Sequence, residues 1–260
     1  MFINKYEKAV LAAVRAGEAI MEIYSQPTET WDVEFKSDNS PVTLADRRAH
    51  AIIAEMLADT EIPLLSEEGE HNDFASRQGW KRLWMVDPLD GTKEFISRNG
   101  VFTVNIALIE DCKPVWGVIY FPKDDVLYVG GTEQTPLRIE HPLDKALRRA
   151  TLLPQKIKRP FTVVASRSHF TPETKKFIDN LRKEHPDLEC ITSGSSLKLC
   201  RVAEGMADIY PRFAPAMEWD IAAGDAIVRA AGGKVVNADT GEPLTYNKAD
   251  LHSPWVIASL

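Results

Sequence analysis

The residues best suited to chemistry sit in one short stretch, Trp84-Met-Val-Asp-Pro-Leu-Asp-Gly-Thr92, which holds two carboxylates, a rigid proline and a glycine. The apolar run Leu83 to Val86 reads as a buried strand that delivers Asp87 to its exit, and the Pro-Leu-Asp-Gly sequence after it is expected to end that strand in a tight turn. Asp87, the Leu89 carbonyl and Asp90 can then converge on one side of Pro88, a set of oxygens that suits a hard cation. Gly91 and Thr92 stand where a helix is expected to begin, and free amides there suit a phosphate oxygen.

Two other acidic positions can join them. Ser66-Glu-Glu-Gly69 follows a short apolar strand, Ile62 to Leu65, and offers Glu67, with Glu68 beside it as a possible base; Asp220 opens a late helix after Trp219. Mg²⁺ prefers a near-octahedral oxygen shell, keeps several waters, and is commonly held by a few carboxylates plus substrate phosphate. Such a cluster has room for two or more ions, which together can activate a water and neutralise the leaving oxygen of a phosphate ester. Each position also has an ordinary structural reading: Asp-Gly is a common turn pair, Asp220 a common cap, and glutamates at a strand exit are usually solvated.

The elements that must position these groups follow from periodicity. A long amphipathic helix is predicted from Asn4 to Tyr24, with Asn4 and Glu7 as a capping box, and Trp31, Val33 and Phe35 alternate as in a half-buried strand before the polar turn 36–41. A second helix runs from Thr43 to Leu57. Asp46, three residues after Thr43, is either the acidic member of its cap or a catalytic carboxylate, and the spacing leaves both open. His50, in that helix, reads as structural. Strands at Val101 to Ile109, Val115 to Phe121 and Val126 to Val129 are joined by short turns, hence an antiparallel meander. The stretch from Thr132 to Arg159 is charged, proline-containing and weakly periodic, so it marks a loose boundary inside a single 1–260 unit with sub-parts 1–135 and 160–260.

The second half alternates. Strands are predicted at Phe161 to Ala165, Leu188 to Ile191, Ala207 to Tyr210, Lys234 to Val236 and Trp255 to Ala258, with helices at Pro172 to Lys183, Ser195 to Glu204 and Ile221 to Ala231. The whole implies a mixed α/β (α+β) layered architecture with two mixed sheets.

Composition bounds the function. A 260-residue chain with 44% hydrophobic and 27% charged residues can bury a large core, and its net charge of −7 argues against a nucleic-acid polymer as partner. A small phosphorylated ligand stays compatible, because bound cations can reverse the sign of an acidic pocket. Cys112, Cys190 and Cys200 are odd in number and widely spaced, which indicates reduced core residues rather than disulfides or a zinc site. The first eight residues carry charge where a signal peptide needs an apolar core, and no apolar run is long enough to span a bilayer. The expected location is cytoplasmic, with peripheral attachment to the cytoplasmic face of the inner membrane left open. Signatures of P-loop, dinucleotide, serine-hydrolase and zinc-protease sites are absent.

Glu67-Glu68, Asp87-Pro-Leu-Asp-Gly-Thr92 and Trp219-Asp220-Ile-Ala-Ala-Gly224 together resemble, in order, the three acidic signatures of the inositol monophosphatase superfamily. Within it, Gly91-Thr-Lys-Glu-Phe-Ile-Ser-Arg-Asn-Gly-Val-Phe-Thr-Val-Asn-Ile-Ala-Leu108, Ser166-Arg-Ser-His169, Gly194-Ser-Ser-Leu-Lys198 and Tyr210-Pro-Arg-Phe213 are similar to the CysQ branch, the 3′(2′),5′-bisphosphate nucleotidases. The resemblance implies the αβαβα sandwich of the sugar phosphatases. It also implies Mg²⁺-dependent, lithium-sensitive removal of the 3′-phosphate from adenosine 3′,5′-bisphosphate (PAP), an activity of sulfur metabolism, with the sulfated relative PAPS as a second substrate. Carried over by motif, Glu67, Asp87, the Leu89 carbonyl, Asp90 and Asp220 become metal ligands, and Asp46 with Thr92 becomes the pair that polarises the attacking water. The substrate would meet Glu67, Leu89, Asp90, Gly91, Thr92 and Asp220, with His169, Ser195, Lys198 and Arg212 as contacts of the nucleotide. Two other readings are an inositol or sugar monophosphatase and, in another class, an inactive metal and nucleotide binder.

Overall fold

The computed structural model describes residues 6–36, 41–70, 73–166 and 170–260. Helix α1 (Glu7–Tyr24) is followed by a two-residue pair, β1 (Glu34–Phe35) and β2 (Pro41–Val42), and by α2 (Leu44–Leu57). Seven strands come next: β3 (Leu64–Ser66), β4 (Arg82–Asp90), β5 (Thr103–Glu110), β6 (Lys113–Phe121), β7 (Val126–Gly131), β8 (Gln134–Glu140) and β9 (Arg149–Leu152). Short helices α3 (Phe74–Arg77) and α4 (Thr92–Ile96) flank β4. The second half is β10 (Thr162–Ser166), α5 (Pro172–Glu184), β11 (Glu189–Ser193), α6 (Leu197–Glu204), β12 (Ile209–Arg212), α7 (Glu218–Ala230), β13 (Lys234–Asn237) and β14 (Val256–Ser259).

The strands form two mixed sheets. One has seven strands in the order β3-β4-β5-β6-β7-β8-β9, and the other has five in the order β11-β10-β12-β14-β13. Only β3 and β4 run parallel in the larger sheet; the rest is the expected meander. Side chains alternate between its faces, as a doubly covered sheet requires. Trp84, Val86, Val104, Ile106 and Val118 pack on α1 and α2, whereas Leu83, Met85, Ala107 and Ile119 face α6 and α7. The smaller sheet lies beyond α6 and α7, and Ile178 of α5 packs with Val163 and Leu188 on its outer side. The layers are therefore αβαβα, as expected.

Several expectations fail for physical reasons. Pro88 does not end β4. Asp87 pairs with Asn105 and Asp90 with Thr103, so Pro88 and Leu89 together oppose Val104 in a bulge where the missing proline N–H costs no ladder bond. The stretch 132–159 is not a bare connection but carries β8 and β9. Only Leu137 and Ile139 of β8 are buried, and edge strand β9 buries almost nothing, so neither left a strong period. Trp31 is buried, yet Val33 and Phe35 are exposed, because β1 pairs only with β2 and adds no face to the core. Cys200 is buried, but Cys112 and Cys190 are exposed; Asp111 and Cys112 both take positive φ, the geometry of a two-residue hairpin turn. Asn4 lies outside the described residues, so the cap expected of it does too. Among the described residues, no helix is long and apolar enough to cross a membrane.

Helix α7 sits between the sheets at close range. A Cβ built on Gly117 of β6 would stand 2.4 Å from the Ala223 carbonyl oxygen, so the strand and the helix touch backbone to backbone. Gly117→Ala must push α7 away from the sheet, and overpacking of this kind costs about 1–3 kcal/mol. A drop in the thermal midpoint of several degrees is expected, and an unchanged midpoint would show that the layer can yield.

Candidate active site

Parallel pairing places the exits of β3 and β4 at the same end of the sheet. Leu64, Leu65 and Ser66 lie opposite Trp84, Met85 and Val86, and the Glu67 amide donates to the Val86 carbonyl at 3.0 Å. Glu67 is thereby held beside Asp87. From the other side, the first turn of α7 brings Asp220, whose Oδ2 accepts the Met217 amide at 3.0 Å. Ligand oxygens of Glu67, Asp87 and Asp220 all lie within 4.8 Å of one another. Three hard, anionic donors at that spacing fit a divalent cation.

The bulge shapes the rest. Asp87 Oδ1 accepts the Leu89 amide at 3.0 Å, and Gly91, at φ 100°, turns the chain into α4 through a conformation that a side chain would strain. Thr92 then begins α4 and donates its hydroxyl to Asp46 Oδ1 at 2.9 Å, with the Leu89 carbonyl 3.3 Å away. The other oxygen of Asp46 accepts the Thr43 amide and hydroxyl at 2.7 and 2.6 Å. Asp46 is therefore both the cap of α2 and the partner of Thr92. Burial raises its pKa to about 6, against the opposing pull of the Thr43 and Thr92 hydrogen bonds.

An aromatic cluster keeps α2 and α4 in register. Phe95 of α4 is buried 4.6 Å from the Trp31 ring and 5.2 Å from that of Tyr24, measured between centroids. The Trp31 carbonyl accepts the Leu44 amide at the start of α2.

Asp90 is not one of the three carboxylates whose oxygens meet within 4.8 Å, but its charge acts on both Asp87 and Asp220. Its Oδ2 accepts the Ser196 amide at 2.5 Å, with Asn105 Nδ2 at 3.4 Å. Ser195, at φ 44°, and Ser196 form the turn into α6. Lys198 is buried beneath this turn, donates to the Ser195 carbonyl, and lies 5.5 Å from the centre of the Tyr210 ring. Arg212 donates from Nη2 to the Pro215 carbonyl at 2.6 Å, while its buried Nε has no hydrogen-bond partner among the described residues. His169 lies outside the described residues. A cavity of about 350 Å³ is lined by Glu67, Asp87, Asp90, Thr92, Lys198, Arg212 and Asp220 together.

Sequence reasoning missed Lys36, read as the start of a polar turn. Its amine contacts Glu67 Oε1 at 2.9 Å and Glu68 Oε1 at 2.5 Å. Burial alone would lower the Lys36 pKa, but the two glutamates raise it overall. Asn105 and Ser196 were also missed, although an asparagine amid the apolar run of β5 was a visible signal. His50 reads as expected, with Nδ1 2.9 Å from Ser66 Oγ.

Burial first, and then repulsion from Glu67, Asp90 and Asp220, pushes Asp87 well above the ordinary carboxylate range. Asp220 rises to about 7, by burial and by Asp90, against the pull of Arg212. A carboxyl raised in the folded state binds its proton more tightly there than in the unfolded chain. Its contribution to stability is thus greatest below pH 4 and is lost as pH rises through about 7. A divalent cation competes with those protons, so its binding strengthens over the same window. The rise in Tm on adding Mg²⁺ to chelator-treated protein is expected to be larger at pH 8 than at pH 5; equal rises would contradict a carboxylate-held cation.

Known proteins resemble the chain over nearly its whole length. The sequence model of the inositol monophosphatase family matches residues 4–257. The chain is similar to the 3′(2′),5′-bisphosphate nucleotidase CysQ of Escherichia coli strain K12, 46% identical over 236 residues, which is 90% of this chain and 90% of that protein. The same protein of Buchnera aphidicola is 41% identical over 247 residues, 93% and 87% of the two chains. Among solved structures, CysQ from Bacteroides thetaiotaomicron, described as a bacterial member of the inositol monophosphatase family, superposes with a TM-score of 0.87 at 48% identity, covering 97% of this chain and 96% of that one. The extragenic suppressor protein suhB from Bartonella henselae gives 0.75 at 26% identity, covering 97% and 92%. A match from residue 4 to residue 257 leaves almost nothing of the sequence outside it, and the chain belongs to the inositol monophosphatase family.

Proposed function

We propose that the protein is a phosphatase that hydrolyses the 3′-phosphate of PAP to give AMP and phosphate, with PAPS as a further substrate. The observation that carries the choice of a bisphosphate is Arg212. Its half-buried guanidinium lines the cavity, and buried Lys198 belongs to the same lining. A substrate with one phosphate at the acidic cluster brings no anion to these two cations, whereas a second phosphate can pair with both. The name that the curated relatives share, 3′(2′),5′-bisphosphate nucleotidase, supports the same reading.

In this reading Glu67, Asp87, the Leu89 carbonyl, Asp90 and Asp220 hold two or more Mg²⁺ ions. When bound, those cations supply Lewis acidity toward the attacking water and the leaving oxygen. The chain's own residues do the positioning. Thr92 keeps its proton on the Asp46 side, so a lone pair of Oγ1 is free to accept from a water aimed at phosphorus. Asp46 takes up the proton that Thr92 relays, a task that requires the carboxylate form. Ser195, Lys198 and Arg212 bind the 5′-phosphate and ribose, with His169 as a further contact, and fix the 3′-phosphate against the cluster. Phosphate monoesters are so unreactive in water that positioning and charge neutralisation must carry most of the acceleration.

Phosphate release from PAP, PAPS, inositol 1-phosphate and fructose 1,6-bisphosphate, each with Mg²⁺ and with added Li⁺, tests the reading. PAP is expected to be preferred and Li⁺ to inhibit; preference for inositol 1-phosphate, or no turnover of any of them, would overturn it. Asp46→Asn is expected to lower kcat by about 10²–10⁴-fold. Arg212→Ala is expected to raise KM for PAP at least about tenfold with a much smaller effect on inositol 1-phosphate, since it removes a charged hydrogen-bond partner of the second phosphate only. Equal effects on both substrates would remove Arg212 from the nucleotide site.

A further inference from the structure

Asp90 and the α6 turn belong to different halves of the chain, yet one small polar network joins them. Asn105 is buried in β5, directly opposite Asp87 in the ladder. Its Oδ1 accepts the hydroxyl of Ser196 at 2.7 Å, and its Nδ2 lies 3.4 Å from Asp90 Oδ2. Because the Ser196 proton goes to Asn105, the 2.7 Å contact between Ser196 Oγ and Thr103 Oγ1 is donated by Thr103. Ser196 in turn gives its backbone N–H to that same Asp90 Oδ2. Both donors to Asp90 found among the described residues thus fall on one oxygen, Oδ2, and Asp90 lines the cavity. Thr103, Asn105 and Ser196 are all buried, so water cannot replace a lost partner at no cost.

We infer that Asn105 is a positioning residue that couples cation binding at Asp90 to nucleotide binding at the Ser195–Lys198 turn. The inference rests on the proposed role of Asp90 as a cation ligand. Asn105 holds the Ser196 hydroxyl, the Ser196 amide holds Asp90, and Ser196 is the residue between Ser195 and the helix that carries Lys198. A phosphate seated on the turn therefore fixes the Asp90 carboxylate as well, and a cation on Asp90 fixes the turn. Linkage makes the effect reciprocal: whatever factor AMP contributes to cation affinity, the cation contributes to AMP affinity. Without the asparagine only the Ser196 amide still joins the two sites, and the turn that carries it is no longer held.

The test is Mn²⁺ binding to the full chain, read from the electron paramagnetic resonance of the free ion with and without AMP. In the wild type AMP is expected to tighten Mn²⁺ by about tenfold, the worth of a charge-assisted hydrogen bond held in place. In Asn105→Ala that factor should fall to about threefold or less, whatever the variant's own Mn²⁺ affinity, since the Ser196 amide still reaches Asp90. A merely structural residue would change stability or both affinities without lowering the factor. Ser196→Ala keeps the amide that bonds Asp90 but removes the hydroxyl that joins Asn105 and Thr103, and must also lower the factor, which keeps the test valid if Asn105→Ala does not fold. An unchanged factor in either folded variant, or no factor in the wild type, overturns the coupling. Mn²⁺ affinity unchanged in Asp90→Asn would instead overturn the ligand role of Asp90, while PAP turnover is scored separately in the wild type.

Discussion

Three carboxylates, Glu67, Asp87 and Asp220, have oxygens within 4.8 Å of one another in a partly buried pocket, and that arrangement opposes folding. At the effective dielectric of a protein interior each ionised pair at this spacing repels by about 3–4 kcal/mol. The cost is contained in ways that can be read atom by atom. Lys36 lies against Glu67, Arg212 pulls on Asp220, and Asp220 occupies the first turn of α7, where the helix dipole favours negative charge. What remains is relieved by protons, which is why Asp87 and Asp220 resist ionisation in the cation-free chain. A site with this balance is held ready for a cation, and stability has been given up to make it so.

Such repulsion can be kept only by rigid supports, and the fold supplies one for each carboxylate. Glu67 leaves β3 beside Asp87, which the neighbouring parallel strand β4 holds at the start of its bulge. Asp220 is carried by α7, whose run Ala222-Ala-Gly224 would be a weak surface but is a good interlayer: small side chains let the helix lie against Gly117 without a gap. Asp46 and Thr92, 46 residues apart, meet because Trp31 and Phe95 pack between α1, α2 and α4.

This division explains what the sequence made legible. Local features were readable because their cause is local: Thr43 and Asp46 are three residues apart, so the cap of α2 could be stated in advance, and Gly91-Thr92 could be read as a helix start. The order of strands and helices followed from periodicity in the same way. Sheet membership did not, since β8 and β9 bury too few side chains to leave a pattern, and β4 continues through Pro88 only because β5 lies opposite with a residue fewer. The site was legible as three acidic motifs but not as a geometry. That Asp90 would face Ser196, and that Lys36 would sit on Glu67, depends on contacts 106 and 31 residues apart in the chain.

The charge arithmetic of the site also bears on its substrate. A chain of net charge −7 with an acidic cavity should repel a bisphosphate at long range, so attraction has to arise within the pocket itself. In the proposed reading it arises twice. Cations held by the carboxylates reverse the sign of one wall, and on the other wall buried Lys198 and half-buried Arg212 act at short range, where little water screens them. Asp90 stands between the two, drawn toward protonation by burial and toward ionisation by Lys198 and Arg212. A ligand with a single phosphate can satisfy only one of these walls. A nucleotide phosphorylated at both ends of its ribose satisfies both, and the distance between the walls then selects the substrate more sharply than the strength of either.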